Sequence, residues 1–358
     1  MKKLGFGLMI VLMLLTLVGC GSSKEKSAVE KYGSDTLKLY NWGEYMGENL
    51  ISNFEKEFGV KVIVEYFDSN EMMYTKLAAG DVYDVLVPSD YMIERMIKED
   101  MLQKIDKSLV PNMSNLADNL LNLAFDVNND YSVPYFGGQV GIVYNKNNVP
   151  KELIEEQGYE IMRNPDYRGR VFMYDSERDG FMVAFKALGY SMNSEDDAEI
   201  EEAFNWLVDF NKTMDPVYVT DEVIDFMMNG NKDLALVYSG DATTILSENE
   251  DMGFCLPSEG TNIWCDSMVI PKNAENPKLA HEFINYVLTY DASYDNSSTV
   301  GYPSSNAEVL ADLSAEDGDF YGNEAYLPRT YDKDEVYCDS EKLRKKLSEL
   351  WIKVKASN

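Results

Sequence analysis

The sequence predicts an α/β protein divided into two lobes. Two observations carry this. Short β-branched strands alternate with apolar residues at helical spacing, a pattern that builds layered α/β domains. More than 300 residues follow the polar segment near the start, which exceeds the usual limit of one hydrophobic core.

Taken in order, Leu37 to Tyr40 reads as a strand, and Leu50, Ile51, Phe54 and Phe58 follow at helical spacing with Gly59 as a stop. Val60 to Val64 is β-branched. Asp68 with Glu71 predicts a capping box opening a helix to Ala79. Val85 to Val87 is a strand closed by Pro88. Further strands are predicted at Gly141–Tyr144, Val171–Tyr174, Leu234–Tyr238 and Ser267–Ile270. Helices are predicted at Phe181–Leu188, Ile200–Phe210 and Leu279–Leu288, with an acidic, solvated start over Asn193–Glu202. Lys342 to Lys355 predicts an amphipathic helix facing inward through Leu343, Leu347, Leu350 and Val354.

The first twenty residues indicate the compartment. Lys2 and Lys3 precede a run from Leu4 to Val18 that is apolar but for Thr16. It falls short of the ~20 residues that span a bilayer and fits a signal-peptide core. It ends Leu17-Val18-Gly19-Cys20, which resembles the bacterial lipobox and implies cleavage before Cys20 and its lipidation. Ser22 to Ser34 is polar and reads as a flexible tether. The expected division is a signal peptide over 1–19 and a lipidated Cys20 with tether over 20–35. One lobe is formed by 36–138 with about 270–310, and the other by 139–269 with about 311–358.

Asp and Glu number 62 against 32 Lys and Arg, a net charge of −30, and loss of Lys2 and Lys3 takes it to −32. Such a surface repels nucleic acid and raises the encounter rate of cations. Chemistry of turnover has few carriers here. The sole histidine, His281, lacks the partner of a zinc-protease helix and reads as a surface residue. There is no P-loop, dinucleotide fingerprint or nucleophile elbow, and no enzyme activity, cofactor or metal site is expected. Cys255, Cys265 and Cys338 lack zinc spacing. They read as single buried thiols, with a Cys255–Cys265 bridge as the alternative.

Acidic and aromatic residues cluster where predicted strands end. Trp42, Glu44 and Tyr45 follow the first strand; Ser89, Asp90 and Tyr91 follow the third. Asp175 and Asp179 follow Tyr174, and Tyr238 and Asp241 bracket another strand end. Open α/β sheets bind ligands outside the carboxyl ends of their strands. In an extended segment Trp264 and Asp266 share one face and Cys265 takes the other. An indole face attracts an alkylammonium, a carboxylate accepts its hydrogen bonds, and flat rings suit the methylenes between amines. Acids with aromatics, without a required Arg or Lys, describe a diamine or triamine pocket.

These residues lie in runs that resemble a known family. Tyr40-Asn41-Trp42-Gly43-Glu44-Tyr45, Ser69 through Leu77, Tyr83 through Ser89 and Gln103 through Ser108 come first. Asn128 through Tyr135, Trp264-Cys265-Asp266-Ser267 and Gly301-Tyr302-Pro303 follow in the same order. Together they resemble the spermidine/putrescine-binding proteins of bacterial ABC importers, of the PotD type, from about Leu37 to Asn306. The resemblance implies a two-lobed type II periplasmic-binding-protein fold with a hinge between lobes. It implies an extracytoplasmic, lipid-anchored monomer that passes a polyamine to permease subunits served by a cytoplasmic ATPase. Trp42, Tyr45, Ser89 and Tyr91 would line the pocket from one lobe. Asp175 and Asp179 would hold an amine from the other, Tyr238 would form a wall, Trp264 would stack, Asp266 would bind an amine, and Tyr302 would touch ligand near the hinge.

Gly43 stands where the family often has a small hydroxyl residue, Asp179 where glutamate is commoner, and Tyr238 where tryptophan is usual. Asp241 matches an acid often found in putrescine-preferring members. The choice between putrescine and spermidine stays open, and no ligand contact is expected beyond Asn306. The competing classes are a sugar-binding lipoprotein, a cell-surface acid-pair hydrolase, a sensory or structural lipoprotein of the same fold, and a tyrosine-based ferric iron binder.

Overall fold

A computed structural model describes residues 27–327, 329 and 331–357. The leader and Cys20 lie outside the described residues. Among the described residues there are nine strands: β1 (Thr36–Trp42), β2 (Lys61–Phe67), β3 (Val85–Leu86), β4 (Ser132–Asn145), β5 (Val171–Tyr174), β6 (Val217–Val219), β7 (Leu234–Tyr238), β8 (Met252–Cys255) and β9 (Ile263–Val269). They run in the order β2-β1-β3-β9-β4-β7-β5-β6, with β8 on β4. The pairs β1–β2, β1–β3, β5–β6 and β5–β7 are parallel, as βα units require, while β4 and β9 run against their neighbours.

The long strand β4 is the feature the sequence reading underestimated. Its first half, Ser132 to Gln139, pairs with β9; its second half, Val140 to Asn145, pairs with β7 and β8. All its residues but Gly137 and the last, Asn145, are buried, so alternation gives way to a near-continuous buried run whose extent pattern alone does not mark. One strand thus belongs to both halves of the sheet, and β9 crosses beside it.

Helices cover both faces. The helix Leu50–Phe58 buries Leu50 and Phe54 and ends at Gly59, which takes the left-handed φ of 65° expected of a C-cap. Phe54 packs edge-on against Phe283 of the helix Pro277–Val287, so the chain returns to its first half after β9. The last helix, Glu341–Lys355, buries Leu343, Leu347, Trp351 and Val354 against helices Glu177–Ala187 and Asp197–Met214. Trp351 thus does the work assigned to Leu350, which is only half-buried.

Several expectations need correction. The capping box at Asp68 is absent: Ser69 caps the helix Asn70–Ala78, its hydroxyl accepting from the Met72 N–H at 3.2 Å. The segment read as tether is ordered from Ser27 on. A capping box between Ser27 and Glu30 starts the helix Ala28–Tyr32, and the Tyr32 ring packs on Phe58. His281 is buried. Its Nε2 accepts the Asp106 N–H at 2.9 Å and its Nδ1 lies 2.6 Å from the Pro277 carbonyl, so it locks a turn to a helix. Cys255 and Cys265 are free and buried, whereas Cys338 is exposed, contrary to the reading of three buried thiols.

Candidate ligand-binding cleft

A cavity of about 710 Å³ opens where β1, β3, β5 and β7 end, within the size range of small-molecule sites. Trp42, Glu44, Tyr45, Ser89, Tyr91, Asp175, Asp179, Tyr238, Asp241, Trp264, Asp266 and Tyr302 all line it. The strand-end argument therefore gathers every residue it nominated into one place, although the residues differ in what they are free to do.

The floor is aromatic. Trp264 packs at steep angles against Tyr302 and Tyr238, with centroids 5.1 and 6.0 Å away. Two glycines make room for these rings. A Cβ on Gly138 would sit 2.7 Å from Trp264 Cζ2, and one on Gly240 would collide with the Tyr302 ring. The Trp264 Nε1 is buried without a hydrogen-bond partner. Trp42 closes one side, its Nε1 donating to the Val87 carbonyl at 2.8 Å and its ring against Phe67.

Carboxylates flank the floor. Asp266 is buried; the Tyr45 hydroxyl donates to its Oδ2 at 3.0 Å, while Oδ1 has no partner. Burial pushes its pKa up to about 7, against the pull of the nearby Ser89 hydroxyl, which falls short of hydrogen-bond geometry, and of the Tyr45 hydroxyl, which reaches it. Asp241 lies in the first turn of the helix Ser239–Glu248, and its Oδ1 accepts from the Tyr302 hydroxyl at 3.4 Å. Burial, then the charge of Asp221, pushes it also to about 7. Asp179 is raised by burial too, but its oxygens are engaged: Tyr238 donates at 2.7 Å and Asn262 at 3.2 Å. Asp266 and Asp241 are the acids beside Trp264 and Tyr302 that keep capacity for a ligand: Asp266 Oδ1 has no partner, and Asp241 accepts only the long Tyr302 bond.

Trp264 and Asp266 do share the cavity face of β9, and Cys265 turns away, its Sγ 3.7 Å from the Ser267 hydroxyl. Asp175 is a different case. The last helix claims it: Lys355 Nζ lies 2.8 Å and Trp351 Nε1 3.0 Å from its Oδ1. Glu44 sits exposed at the mouth with a φ of 40°, a left-handed turn residue uncommon outside glycine.

The sequence reading missed other lining residues. Tyr337, Ser348, Trp351 and Lys355 all lie beyond Asn306, where no contact was expected. Asp221 follows β6, a three-residue strand that was not recognised; the strand-end rule would have found it. Arg178 and Lys355 also line the cavity, two cations that the sequence reading neither required nor named. Even so, ten Asp and Glu side chains line the cavity against those two.

Residues 49–321 match the family described as bacterial extracellular solute-binding protein. The chain belongs to that family. This solute-binding protein is 38% identical to the spermidine/putrescine-binding periplasmic protein of Escherichia coli K12 over 294 residues, covering 81% of this chain and 83% of that one. It is 28% identical to the E. coli putrescine-binding periplasmic protein PotF over 335 residues, covering 88% and 87%. Among solved structures, the spermidine/putrescine transporter substrate-binding protein PotD of Streptococcus pneumoniae is 34% identical. It covers 90% of this chain and 99% of its own, with a TM-score of 0.72. The Tp0655 lipoprotein of Treponema pallidum is 28% identical, covers 89% and 99%, and has a TM-score of 0.77. The mixed α/β sheet with shared crossing strands is the type II binding-protein fold, as the resemblance implied.

Proposed function

We propose that this solute-binding protein captures a small polyamine in the cleft and passes it to an ABC permease. One observation carries the reading: a buried carboxylate, Asp266, keeps an unpartnered oxygen beside an indole in a cavity whose charged lining residues are nearly all acids. A buried acceptor without a partner costs free energy unless a ligand supplies the donor. An ammonium supplies both the donor and the charge, and the flat rings between Asp266 and Asp241 suit the methylenes that join two amines.

The lobes are read as 36–138 with about 270–310 and 139–269 with about 311–358, closing about the β4 and β9 crossing. Trp42, Tyr45, Ser89 and Tyr91 contribute from the first. Tyr238, Asp179 and Asp241 contribute from the second, and Trp264, Asp266 and Tyr302 from the crossing region. Asp175 and Glu44 act at the rim. Anchoring through lipidated Cys20 would hold the protein, as a monomer, at the outer face of the membrane near its permease. The matched family is one of solute binding and transport, and we read the site as one of binding without turnover.

Calorimetric titration of the mature chain tests this. Putrescine or spermidine should bind and maltose should not. Maltose binding with no heat from polyamines would favour the sugar reading, which the same Trp–Asp pairing could serve.

A further inference from the structure

On its β3 side, β9 runs past the end of its partner strand. Leu86 of β3 stands opposite Val269 in an antiparallel pair. Beyond β3 the pairing goes on: the Ser267 N–H donates to the Pro88 carbonyl at 3.1 Å, and Ser89 stands opposite Asp266. Cys265 comes next, and its N–H points to the same side as that of Ser267, two residues along. The residue opposite it is Asp90, where the chain turns into the helix Asp90–Lys98 and the main chain no longer offers a carbonyl to the sheet. The side chain takes over. Asp90 is buried, its Oδ2 accepts the Cys265 N–H at 3.1 Å, and its Oδ1 accepts the Tyr91 N–H at 2.6 Å. Asp90 so serves the first turn of its helix in place of Ser89, which makes no capping bond and instead accepts Asn70 Nδ2 at 3.0 Å.

The other edge of β9 is irregular at the same level. It pairs with β4 through Phe136 opposite Asp266, Gly137 opposite Cys265 and Gly138 opposite Trp264, but the register shifts between Pro134 and Phe136. Such a shift disrupts the ladder locally. A slip of one residue would turn Trp264 and Asp266 away from the cavity and bring Cys265 into it. We infer that Asp90 is a positioning residue of the cleft: its carboxylate fixes β9 at Cys265 and so holds Trp264 and Asp266 toward the ligand, without itself taking an amine. Both of its oxygens have main-chain donors, whereas Asp266 keeps one free. The inference rests on the polyamine reading above and deepens it by naming what orients the residues of that site.

Three measurements test it on wild type, Asp90→Asn and Asp90→Ala, each variant checked for a cooperative thermal transition. Asparagine is isosteric but sets one acceptor and one NH2 group against two N–H groups, and alanine offers no acceptor. The first measurement is amide exchange by NMR. In Asp90→Ala the Cys265 N–H should exchange about tenfold faster relative to the Ser267 N–H, which a main-chain carbonyl still holds; general destabilisation would speed both alike. The second is stopped-flow binding of putrescine. Release should quicken by about tenfold in the alanine variant and about threefold in the asparagine variant, with association nearly unchanged. The third is the pH profile of putrescine affinity. The charge of Asp90 raises the pKa of Asp266, and Arg178, Glu94, Tyr91, Cys265 and Cys338 also lie within its field. Both variants leave those groups in place, so the acid fall in affinity should move to lower pH, a change that loosened packing alone does not produce. Putrescine release at the wild-type rate in both variants would overturn the positioning role, and so would a Cys265 amide equally protected with and without Asp90. The asparagine variant carries the test by itself if the alanine variant does not fold. Failure of wild type to bind putrescine or spermidine would overturn the polyamine reading, a separate result, and the exchange measurement, which needs no ligand, would still decide whether Asp90 holds Cys265.

Discussion

Tyr45 donates its hydroxyl to one oxygen of Asp266 at 3.0 Å, and the other oxygen of that buried carboxylate is left without a partner. A fully satisfied acid would be structural; a half-satisfied one, facing a cavity, is set to receive. Its pKa of about 7 follows from burial, and the same holds for Asp241 across the floor. An arriving ammonium favours the ionised form of both and draws their pKa values down.

Binding should therefore release protons near neutral pH. Below about pH 7 the free site is increasingly protonated, so polyamine affinity should fall, approaching ~10-fold per pH unit for each carboxylate coupled to the ligand. Above pH 8 the affinity should level off. Titration at pH 7 in two buffers of different ionisation enthalpy should give different apparent heats; identical heats would mean that neither acid gains a charge on binding.

The stability of the free protein should run the other way. Asp90, Asp241 and Asp266 have folded-state pKa values raised to about 7, above the ~4 of an unfolded chain. Their contribution is fully present below the unfolded value and is lost as pH rises through the folded one. The ligand-free melting temperature should thus drop between pH 5.5 and 8, and the increment added by putrescine should grow over the same interval. A ligand-free melting temperature that rises through this window would contradict the assignment of these acids as buried.

The glycines under the floor give a steric prediction. Gly240→Ala places a methyl group into the Tyr302 ring, and Gly138→Ala does so into Trp264. Overpacking of this kind typically costs ~1–3 kcal/mol. Each variant should fold with a lowered melting point and bind polyamines at least about tenfold more weakly. Unaltered affinity in both would show that the ring positions do not matter to the ligand.

Capture should also depend on salt. The net charge of −30 and the acid-lined mouth attract a polycation from a distance, and screening shortens that reach to ~8 Å at physiological ionic strength. Stopped-flow association rates should fall by about tenfold from low to high salt while dissociation changes less. Anchoring is tested alongside: Cys20→Ser should move the protein from membrane to soluble fractions.

Much of this was legible because the fold places ligands at strand ends, and strand ends are visible in sequence. Val171–Tyr174 and Leu234–Tyr238 were read to the residue, and Asp179, Tyr238 and Asp241 followed from them. What escaped has identifiable causes. Strand β4 is buried along almost its whole length, so no alternation marked its extent. His281 was read as exposed because its partners, Asp106 and the Pro277 carbonyl, are backbone groups that leave no trace in composition. Tyr337, Trp351 and Lys355 reach the cavity from a C-terminal segment whose approach depends on how the last helix docks on Gly180, which leaves room for the Trp351 ring. Arg178 was passed over because a lone arginine in a helix start reads as solvated, and only the packed rings reveal it as part of the wall.

The most direct test of the central claim is the affinity of Asp266→Asn for putrescine at pH 8, where the wild-type carboxylate is ionised before the ligand arrives. The substitution keeps size and hydrogen-bonding capacity and removes only the charge. A charge-assisted hydrogen bond contributes ~1.5–3 kcal/mol, against ~0.5–1.5 for a neutral one. Calorimetry should therefore show a loss of about tenfold or more, expressed mainly as faster release. Wild-type affinity in the Asp266→Asn protein would mean that this carboxylate does not hold the ammonium, and the map of the cleft given above would be wrong.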